Sequence, residues 1–301
     1  MHSVKDMRSG VIFALITAAG LGAITTQAKI IYADGGNAMT VMFTRFLIST
    51  LIFGLLIALR RQSFKVDRPL RLPVALIGLV WSAAMICYLL SVESISVSLA
   101  VLLLYTYPLL VLIYAILGKQ LSPSPSLILV FFLAFLGLYL ALWGGELKLD
   151  ATGLLLALLA GLGAAFTFIK GARVAPRLNP LVMTFWINTV GLIIIIPLIY
   201  TQFSLPTSGN GLLALSAATV FYVIAIICQF QALARLPAAT AAFILNLEPV
   251  VSILLASIVL HEQLSNLQWL GVVLVISVLV AAVRIKTGHS RKSESIFNTQ
   301  N

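Results

Sequence analysis

The chain alternates long apolar segments with short polar connections over nearly all of its length. A membrane-spanning helix needs about 20 mainly apolar residues, and ten segments of the sequence are apolar enough for that role. Only the connection 60–71 and the tail after Arg284 are long, so no soluble domain is expected between spans. The predicted spans are Gly10–Tyr32, Ala38–Leu59, Leu72–Ser91, Val97–Leu117, Ser126–Trp143, Thr152–Lys170, Pro180–Tyr200, Gly211–Gln231, Ala238–Leu260 and Asn266–Arg284.

An internal repeat divides these ten spans into two sets of five. Residues 102–122, LLLYTYPLLVLIYAILGKQLS, resemble residues 243–265, FILNLEPVVSILLASIVLHEQLS, with Pro108 matching Pro249. Residues 9–23 likewise match residues 152–166. Because five is odd, the second set enters from the other side of the membrane, as in transporters with inverted repeats. A duplication kept only for packing is the alternative, but the polar positions repeat along with the apolar ones.

The predicted fold is therefore an all-α membrane protein, with ten transmembrane helices arranged as two inverted five-helix repeats around a central cavity. The expected boundaries are 1–145 for the first repeat, 146–286 for the second, and 287–301 for a disordered cytoplasmic tail.

Composition supports a membrane protein and excludes a soluble one. Of 301 residues, 61% are hydrophobic and 9% charged, against about 25% charged in soluble domains. The first span is followed at once by others and has no clear cleavage site, so it is not a cleavable signal peptide. No CxxC, His/Cys cluster or Gly-rich phosphate loop is present, so no metal or cofactor is predicted. Cys87 and Cys228 lie in apolar runs, which is typical of reduced, buried cysteines.

The basic residues predict the orientation through the positive-inside rule. The formal net charge of +10 therefore does not require nucleic acid. With the N-terminus in the cytoplasm, the opposite loops hold only Lys148, and Lys29, Arg45 and Lys170 fall within spans or at their ends. A prokaryotic cytoplasmic membrane and two cytoplasmic termini are expected. The basic residues on the cytoplasmic side are Lys5, Arg8, Arg60, Arg61, Lys65, Arg68, Arg71, Lys119, Arg173, Arg177, Arg235, Arg284, Lys286, Arg291 and Lys292.

The ninth span carries the strongest candidate site residue, Glu248. Pro249 removes a helical N–H and clashes with the carbonyl of Leu245, so a helix kink is expected there and at Pro108. Ionisable residues inside membranes are often functional, so Glu248 is interpreted as a protonatable group or as a partner for a substrate amine. A packing role remains the alternative. Asn246 would point about 200° away from Glu248 on an unbroken helix.

The other candidate substrate-binding residues are one cation and a set of aromatic and amide side chains. Arg45 lies within the second span and is interpreted as a counter-charge for a substrate carboxylate or for Glu248, with snorkelling as the alternative. Tyr105 and Tyr107 stand where the second repeat has Asn246 and Glu248, and Tyr88 stands where it has Gln229. The remaining candidates are Gln231, Trp81 and Phe166; aromatic residues also gather at membrane interfaces without any functional role.

The segment 246–265, NLEPVVSILLASIVLHEQLS, followed by LQWLGVVLVISVLVAA at 267–282, resembles the EamA type of the drug/metabolite transporter superfamily. Members carry a proline in the fourth and ninth spans and a Glu-x-Leu ending, which here reads Glu262-Gln263-Leu264. One departure is Lys119, where the family often has Glu. The resemblance covers Gly10 to Arg284 and implies ten helices, a central cavity and alternating access. Members move amino acids, sugars, nucleotide precursors and drugs, so the resemblance leaves the substrate open.

The leading interpretation is a secondary transporter that exports amino acids or related small metabolites and is not an enzyme. Protons are a candidate coupling ion, and the glycine-rich helices allow a homodimer. An antiporter of sugar phosphates or nucleotide sugars would need several cations in the cavity. A membrane-embedded lipid enzyme would rest on His261 and Glu262 alone, and no ring of like residues indicates a channel filter.

Overall fold

A computed structural model describes residues 4–143, 149–261 and 263–281, and this part of the chain is helical without strands. The predicted tail at 287–301 and Glu262 lie outside these residues. The α-helices are α1 (Val4–Ala33), α2 (Ala38–Leu59), α3 (Arg68–Ser94), α4 (Val97–Leu104), α5 (Tyr107–Leu117), α6 (Pro125–Ala141), α7 (Ala151–Val174), α8 (Pro180–Gln202), α9 (Gly209–Leu233), α10 (Ala238–Ile244), α11 (Leu247–Val259) and α12 (Asn266–Ala281).

The predicted fold class is confirmed. Eight spans are long and apolar enough to cross a membrane, and α6 and α12 are shorter apolar helices that complete a set of ten among the described residues. The first and third helices begin earlier than predicted, at Val4 and Arg68. Hydropathy marks the part of a helix that lies in lipid, whereas the helix itself continues into the polar interface.

The fourth and ninth spans are each broken in the middle, so that α4 and α5 form one span and α10 and α11 form another. Both breaks lie just before a proline, Pro108 in the first repeat and Pro249 in the second. A proline supplies no N–H to the preceding turn and its ring crowds the carbonyl four residues earlier. Discontinuous spans of this kind place backbone polar groups at mid-membrane depth.

The packing of the helices repeats in inverted form. Helix α1 packs along α9, and α7 packs along α3 in the same way. A Cβ on Gly10 of α1 would meet Arg235 and Leu236, and one on Gly153 of α7 would meet Ser94 and Ile95. The first span thus holds the place in one repeat that the sixth span holds in the other, and the third span matches the eighth in the same way. This is the inverted five-helix arrangement.

Glycines of the first and sixth spans serve this internal packing. A Cβ on Gly20 would lie 3.0 Å from the Cβ of Ala225, and one on Gly163 would lie 2.6 Å from the Cβ of Ala84. Small residues allow such close approach of two helices. These two glycines are thus used within the chain, and they mark no dimer surface.

The two membrane faces differ in how closely the repeats meet. We call the face at which α1 begins the N-terminal face and the other the opposite face. Toward the N-terminal face, α10 packs against α5 and α7. In the inverted repeat, the equivalent contacts toward the opposite face would be those of α4 with α11 and with α1. These pairs make no comparable contact in the described chain. Helix α10 is largely buried, whereas residues 251–255 of α11 are half-buried. The repeats are therefore joined through α10 toward the N-terminal face, and no equivalent contact of α4 joins them toward the opposite face.

Candidate functional site

Glu248 lies in the first turn of α11, directly after the break in the ninth span, and its side chain is half-buried. The Tyr105 hydroxyl, at the break in the fourth span, lies beside the Glu248 carboxyl group. The Glu248 N–H donates to the carbonyl of Leu245 at 3.0 Å. Both breaks thus meet at one carboxyl group near the middle of the bundle.

Gly22 of α1 allows this part of α11 to lie where it does. A Cβ on Gly22 would be 2.6 Å from the carbonyl oxygen of Glu248 and 2.9 Å from the Cβ of Val251. On the other repeat, Gly161 of α7 takes the corresponding role, since its Cβ would lie 3.0 Å from the carbonyl oxygen of Leu103 beside the first break. Glycines therefore support both broken spans from the neighbouring helix.

Arg45 lies within α2, half-buried, with its guanidinium over two aromatic rings. Its Cζ is 4.8 Å from the ring centre of Tyr222 and 5.4 Å from that of Phe46. Such cation–π contacts stabilise a desolvated guanidinium by about 2 kcal/mol. An arginine at the centre of a spanning helix costs about 2.5–3.5 kcal/mol on insertion scales, so the two rings offset much of that cost.

The charges of Arg45 and Glu248 interact without direct contact. Each lies within the electrostatic range of the other, but no ion pair joins them in the described chain. The Tyr105 hydroxyl lies beside Glu248 instead. The Nε of Arg45 is buried and has no hydrogen-bond partner. Tyr32, at the end of α1 toward the opposite face, also lies within the electrostatic range of Arg45.

A buried polar network holds the aromatic face on which Arg45 rests. The Tyr222 hydroxyl donates to the Asn188 Oδ1 at 3.0 Å, and the Asn188 Nδ2 donates to the Thr184 carbonyl at 2.8 Å. Asn188 and Tyr222 have no exposed side-chain surface. The Trp81 Nε1 lies beside the Tyr222 hydroxyl, but its N–H completes no hydrogen bond.

Three tyrosines and a phenylalanine form an aromatic wall around Glu248. Tyr105 and Tyr107 are both 4% exposed, with ring centres 5.7 Å apart, and the Tyr107 ring is 5.0 Å from that of Phe168. Tyr88 of α3 is half-buried and lies within the electrostatic range of Glu248. The wall therefore combines apolar ring faces with phenol hydroxyls beside one carboxyl group.

The two amide candidates in the interior are buried but engaged differently. Asn246 is 5% exposed and turns back on its own helix, where its Nδ2 donates to the Phe243 carbonyl at 3.1 Å. Gln229 is 2% exposed, and its Oε1 has no hydrogen-bond partner. Asn246 thus shapes the break, whereas Gln229 retains a free acceptor.

Gln231 and Phe166 lie outside this cluster, nearer the N-terminal face. The Gln231 Oε1 accepts a hydrogen bond from Arg235. The Phe166 ring lies 5.8 Å from the Nζ of Lys170 on the same helix. Both side chains are therefore occupied by neighbouring cations.

Sequence reasoning missed Asn188 and did not rank Tyr222 and Tyr32 among the site residues. Asn188 is an amide inside the apolar run of α8, and that contrast is the signal that could have found it. Tyr222 and Tyr32 carry no such signal, because tyrosines are common in membrane helices. In the described part of the chain no group of three or more His, Cys, Asp or Glu side chains is placed to hold a metal ion.

A separate cavity of about 220 Å³ lies at the N-terminal face, at the ends of α5 and α7 and the start of α10. Arg173 and Tyr114 form part of its wall, and the Arg173 guanidinium donates to the Tyr114 hydroxyl. The packing of α10 against α5 and α7 lies between this cavity and Glu248.

Two inverted repeats, two broken spans and a polar cluster where the breaks meet define a polytopic membrane transporter. The model of the EamA-like transporter family matches residues 8–143 and 151–284. The chain therefore belongs to the EamA-like transporter family, as the sequence resemblance predicted.

A solved structure titled "Crystal structure of protein" has a TM-score of 0.75 to this chain, with 16% sequence identity, covering 95% of this chain and 99% of the other. At that identity the likeness shows the fold alone. No curated protein sequence matches the chain.

Proposed function

We propose that this protein exports amino acids or closely related small metabolites across a prokaryotic cytoplasmic membrane by alternating access. The observation that carries the proposal is the pair Arg45 and Glu248, which lie within electrostatic range inside the bundle but are not bonded to each other. A zwitterion presents one negative and one positive group at a short spacing. Its carboxylate and ammonium would complement these two side chains, and the aromatic wall would take an apolar side chain.

The asymmetry of the bundle supports the transport cycle. In this state α10 packs against α5 and α7 toward the N-terminal face, whereas α4 makes no equivalent contact toward the opposite face. Alternating access requires a second state in which α4 closes on α11 while α10 separates from α5. The excess of basic residues at the N-terminal face supports a cytoplasmic location for that face and for both termini. The opposite face would then be the external one.

Glu248 is the proposed site of proton coupling. Its carboxyl group lies beside Tyr105, where the two broken spans meet, so its surroundings would change in each transport cycle. A proton on Glu248 would remove the charge that holds a substrate ammonium, which links proton binding to substrate release.

The alternative antiporter of sugar phosphates or nucleotide sugars is less well supported. Phosphoryl groups are usually held by several cations, and near Glu248 the described chain supplies Arg45. The cations Lys170, Arg173 and Arg235 lie nearer the N-terminal face and contact Phe166, Tyr114 and Phe13.

Transport in proteoliposomes tests the proposal. Uptake and efflux of labelled neutral amino acids, sugar phosphates and a cationic dye would be measured with and without a pH gradient. We expect saturable movement of at least one amino acid that responds to the gradient. Movement of a sugar phosphate but no amino acid would replace this proposal with the antiporter. If nothing moves faster than in empty vesicles, although the protein unfolds cooperatively, the proposal is wrong.

A further inference from the structure

We propose that Arg45, held between Phe46 and Tyr222, is the subsite that binds the carboxylate of the transported molecule. The assignment rests on the proposed function for its role in transport. It goes further in naming the substrate group that this side chain binds and the residues that position it.

The first observation is a guanidinium N–H that lacks an acceptor. The Nε of Arg45 is shielded from solvent and has no hydrogen-bond partner in the described chain. A buried polar group without a partner is costly, and a native structure retains such a group where a ligand completes it. Guanidinium is planar and offers parallel N–H donors that match the two oxygens of a carboxylate.

The second observation is that the nearby anion does not pair with Arg45. Glu248 lies beside the Tyr105 hydroxyl, and it interacts with Arg45 only through the intervening space. Had these two side chains formed an ion pair, each would be satisfied without substrate. Their separation leaves Arg45 available to an external anion.

The third observation is that Arg45 is fixed in place. The rings of Phe46 and Tyr222 meet edge to face with centres 6.1 Å apart, and the guanidinium lies over both. The hydrogen bond from Tyr222 to Asn188 locks the larger ring, which makes Asn188 a positioning residue. A preorganised donor loses less conformational entropy when the ligand binds.

The fourth observation concerns the chemistry of the surrounding donors. Trp81 adds a second N–H without a partner beside the same Tyr222 ring. An indole N–H and a guanidinium can donate but cannot accept. These two donors favour an anion over an amine beside Arg45, and a single guanidinium suits a monocarboxylate.

The test measures ligand-induced stabilisation of the full-length protein in nanodiscs. The midpoint of thermal unfolding would be followed against concentration of three probes of similar shape: L-leucine, 4-methylpentanoate, which has the carboxylate but no amine, and leucinol, which keeps the amine and has a hydroxyl in place of the carboxylate. A ligand that binds the folded state raises the midpoint according to its affinity. We expect L-leucine and 4-methylpentanoate to stabilise the wild type and leucinol to bind at least tenfold more weakly.

Variants then locate the effect. Arg45→Gln should weaken the binding of 4-methylpentanoate about 10- to 100-fold, which is the usual effect of losing a hydrogen bond to a charged group. Arg45→Lys keeps the charge and should recover part of that loss. Tyr222→Phe keeps the ring but removes the hydrogen bond to Asn188. It should weaken the binding of both carboxylate probes without changing the binding of leucinol. The midpoint without ligand shows whether each variant folds.

The proposal is overturned if leucinol binds as tightly as L-leucine, if folded Arg45→Gln binds 4-methylpentanoate like the wild type, or if neither carboxylate stabilises the wild type. Binding of 4-methylpentanoate that depends on Arg45, with no amino acid moved in proteoliposomes, would support the subsite while refuting amino-acid export.

Discussion

The Tyr105 hydroxyl lies beside the Glu248 carboxyl group, so the broken span of one repeat meets that of the other at this point. Tyr105 occupies the position that Asn246 has in the second repeat, and Tyr107 occupies that of Glu248. The inverted halves thus place different chemistry at equivalent points.

Glu248→Gln should lower the kcat/KM for amino-acid transport at least tenfold and remove its response to a pH gradient. Glutamine keeps the size and the acceptor for Tyr105 but loses the negative charge and the titratable proton. Proteoliposome transport at several external pH values measures both effects. Asp67→Asn is the matched control, since Asp67 is exposed and makes no capping hydrogen bond. An unchanged pH response in Glu248→Gln would show that Glu248 is not the coupling site.

Tyr105→Phe should reduce transport less than Glu248→Gln, and its effect should largely disappear in the Glu248→Gln background. The reason is that the phenol acts on the carboxylate beside it, and residues in contact show coupling energies of about 0.5–3 kcal/mol. A double-mutant cycle on kcat/KM measures that coupling. Tyr200→Phe is the control, because the Tyr200 side chain is 93% exposed and lies outside the aromatic wall. Fully additive effects of Tyr105→Phe and Glu248→Gln would refute the functional link.

Gly271→Ala should destabilise the protein by about 1–3 kcal/mol, the usual cost of overpacking. A Cβ at this position of α12 would lie 2.2 Å from the Ala141 backbone nitrogen and 2.5 Å from the Gly137 carbonyl oxygen. Both atoms belong to backbone that cannot rotate away. Gly209→Ala is the control, since its Cβ would have nothing within 4 Å. Equal unfolding midpoints for the two variants would contradict the close crossing of α6 and α12.

Asp34→Asn should lower the thermal stability of the protein by removing a link at the opposite face, and the size of this effect should depend on pH. The Asp34 carboxylate accepts from the Ser208 backbone N–H at 2.7 Å and from the Thr207 hydroxyl at 3.2 Å, which links the connection before α2 to the one before α9. The backbone hydrogen bond from Ser208 contributes most to lowering the pKa of Asp34 below its ordinary value of about 3.8.

Because the folded state lowers this pKa, the stabilisation is present above the ordinary value and is lost as pH falls below it. The wild type should therefore unfold at a higher temperature than Asp34→Asn at pH 7, with the difference shrinking toward pH 3. Thermal unfolding at both pH values measures the difference. A gap of the same size at pH 3 and pH 7 would mean that the carboxylate does not supply this link.

The fold could be predicted from the sequence because each span is recognisable by its length and apolar composition, and because the repeat at Pro108 and Pro249 relates the two halves. The cluster was harder to predict. Glu248 and Arg45 stand out in their spans, since a charge inside an apolar helix is rare. Asn188 and Trp81 join them only through the packing of α2, α3, α8 and α9, which no single span reveals.

Two further predictions show the limit of reasoning from spacing. Gln231 lies on the same helix as Gln229, but its partner is Arg235, one turn onward. Only contacts with the neighbouring side chains reveal which of the two glutamines is free.

The account's central claim is that one cavity is exposed to the two faces in turn. Distances between paired spin labels test it most directly, in protein with Cys87 and Cys228 replaced by serine. Val97→Cys with Val259→Cys spans the gap between α4 and α11, and Gln120→Cys with Ala238→Cys spans the contact between α5 and α10. With a mixture of neutral amino acids, the first distance should shorten while the second lengthens. Distances that do not change in either pair, in protein shown to bind an amino acid, would contradict alternating access.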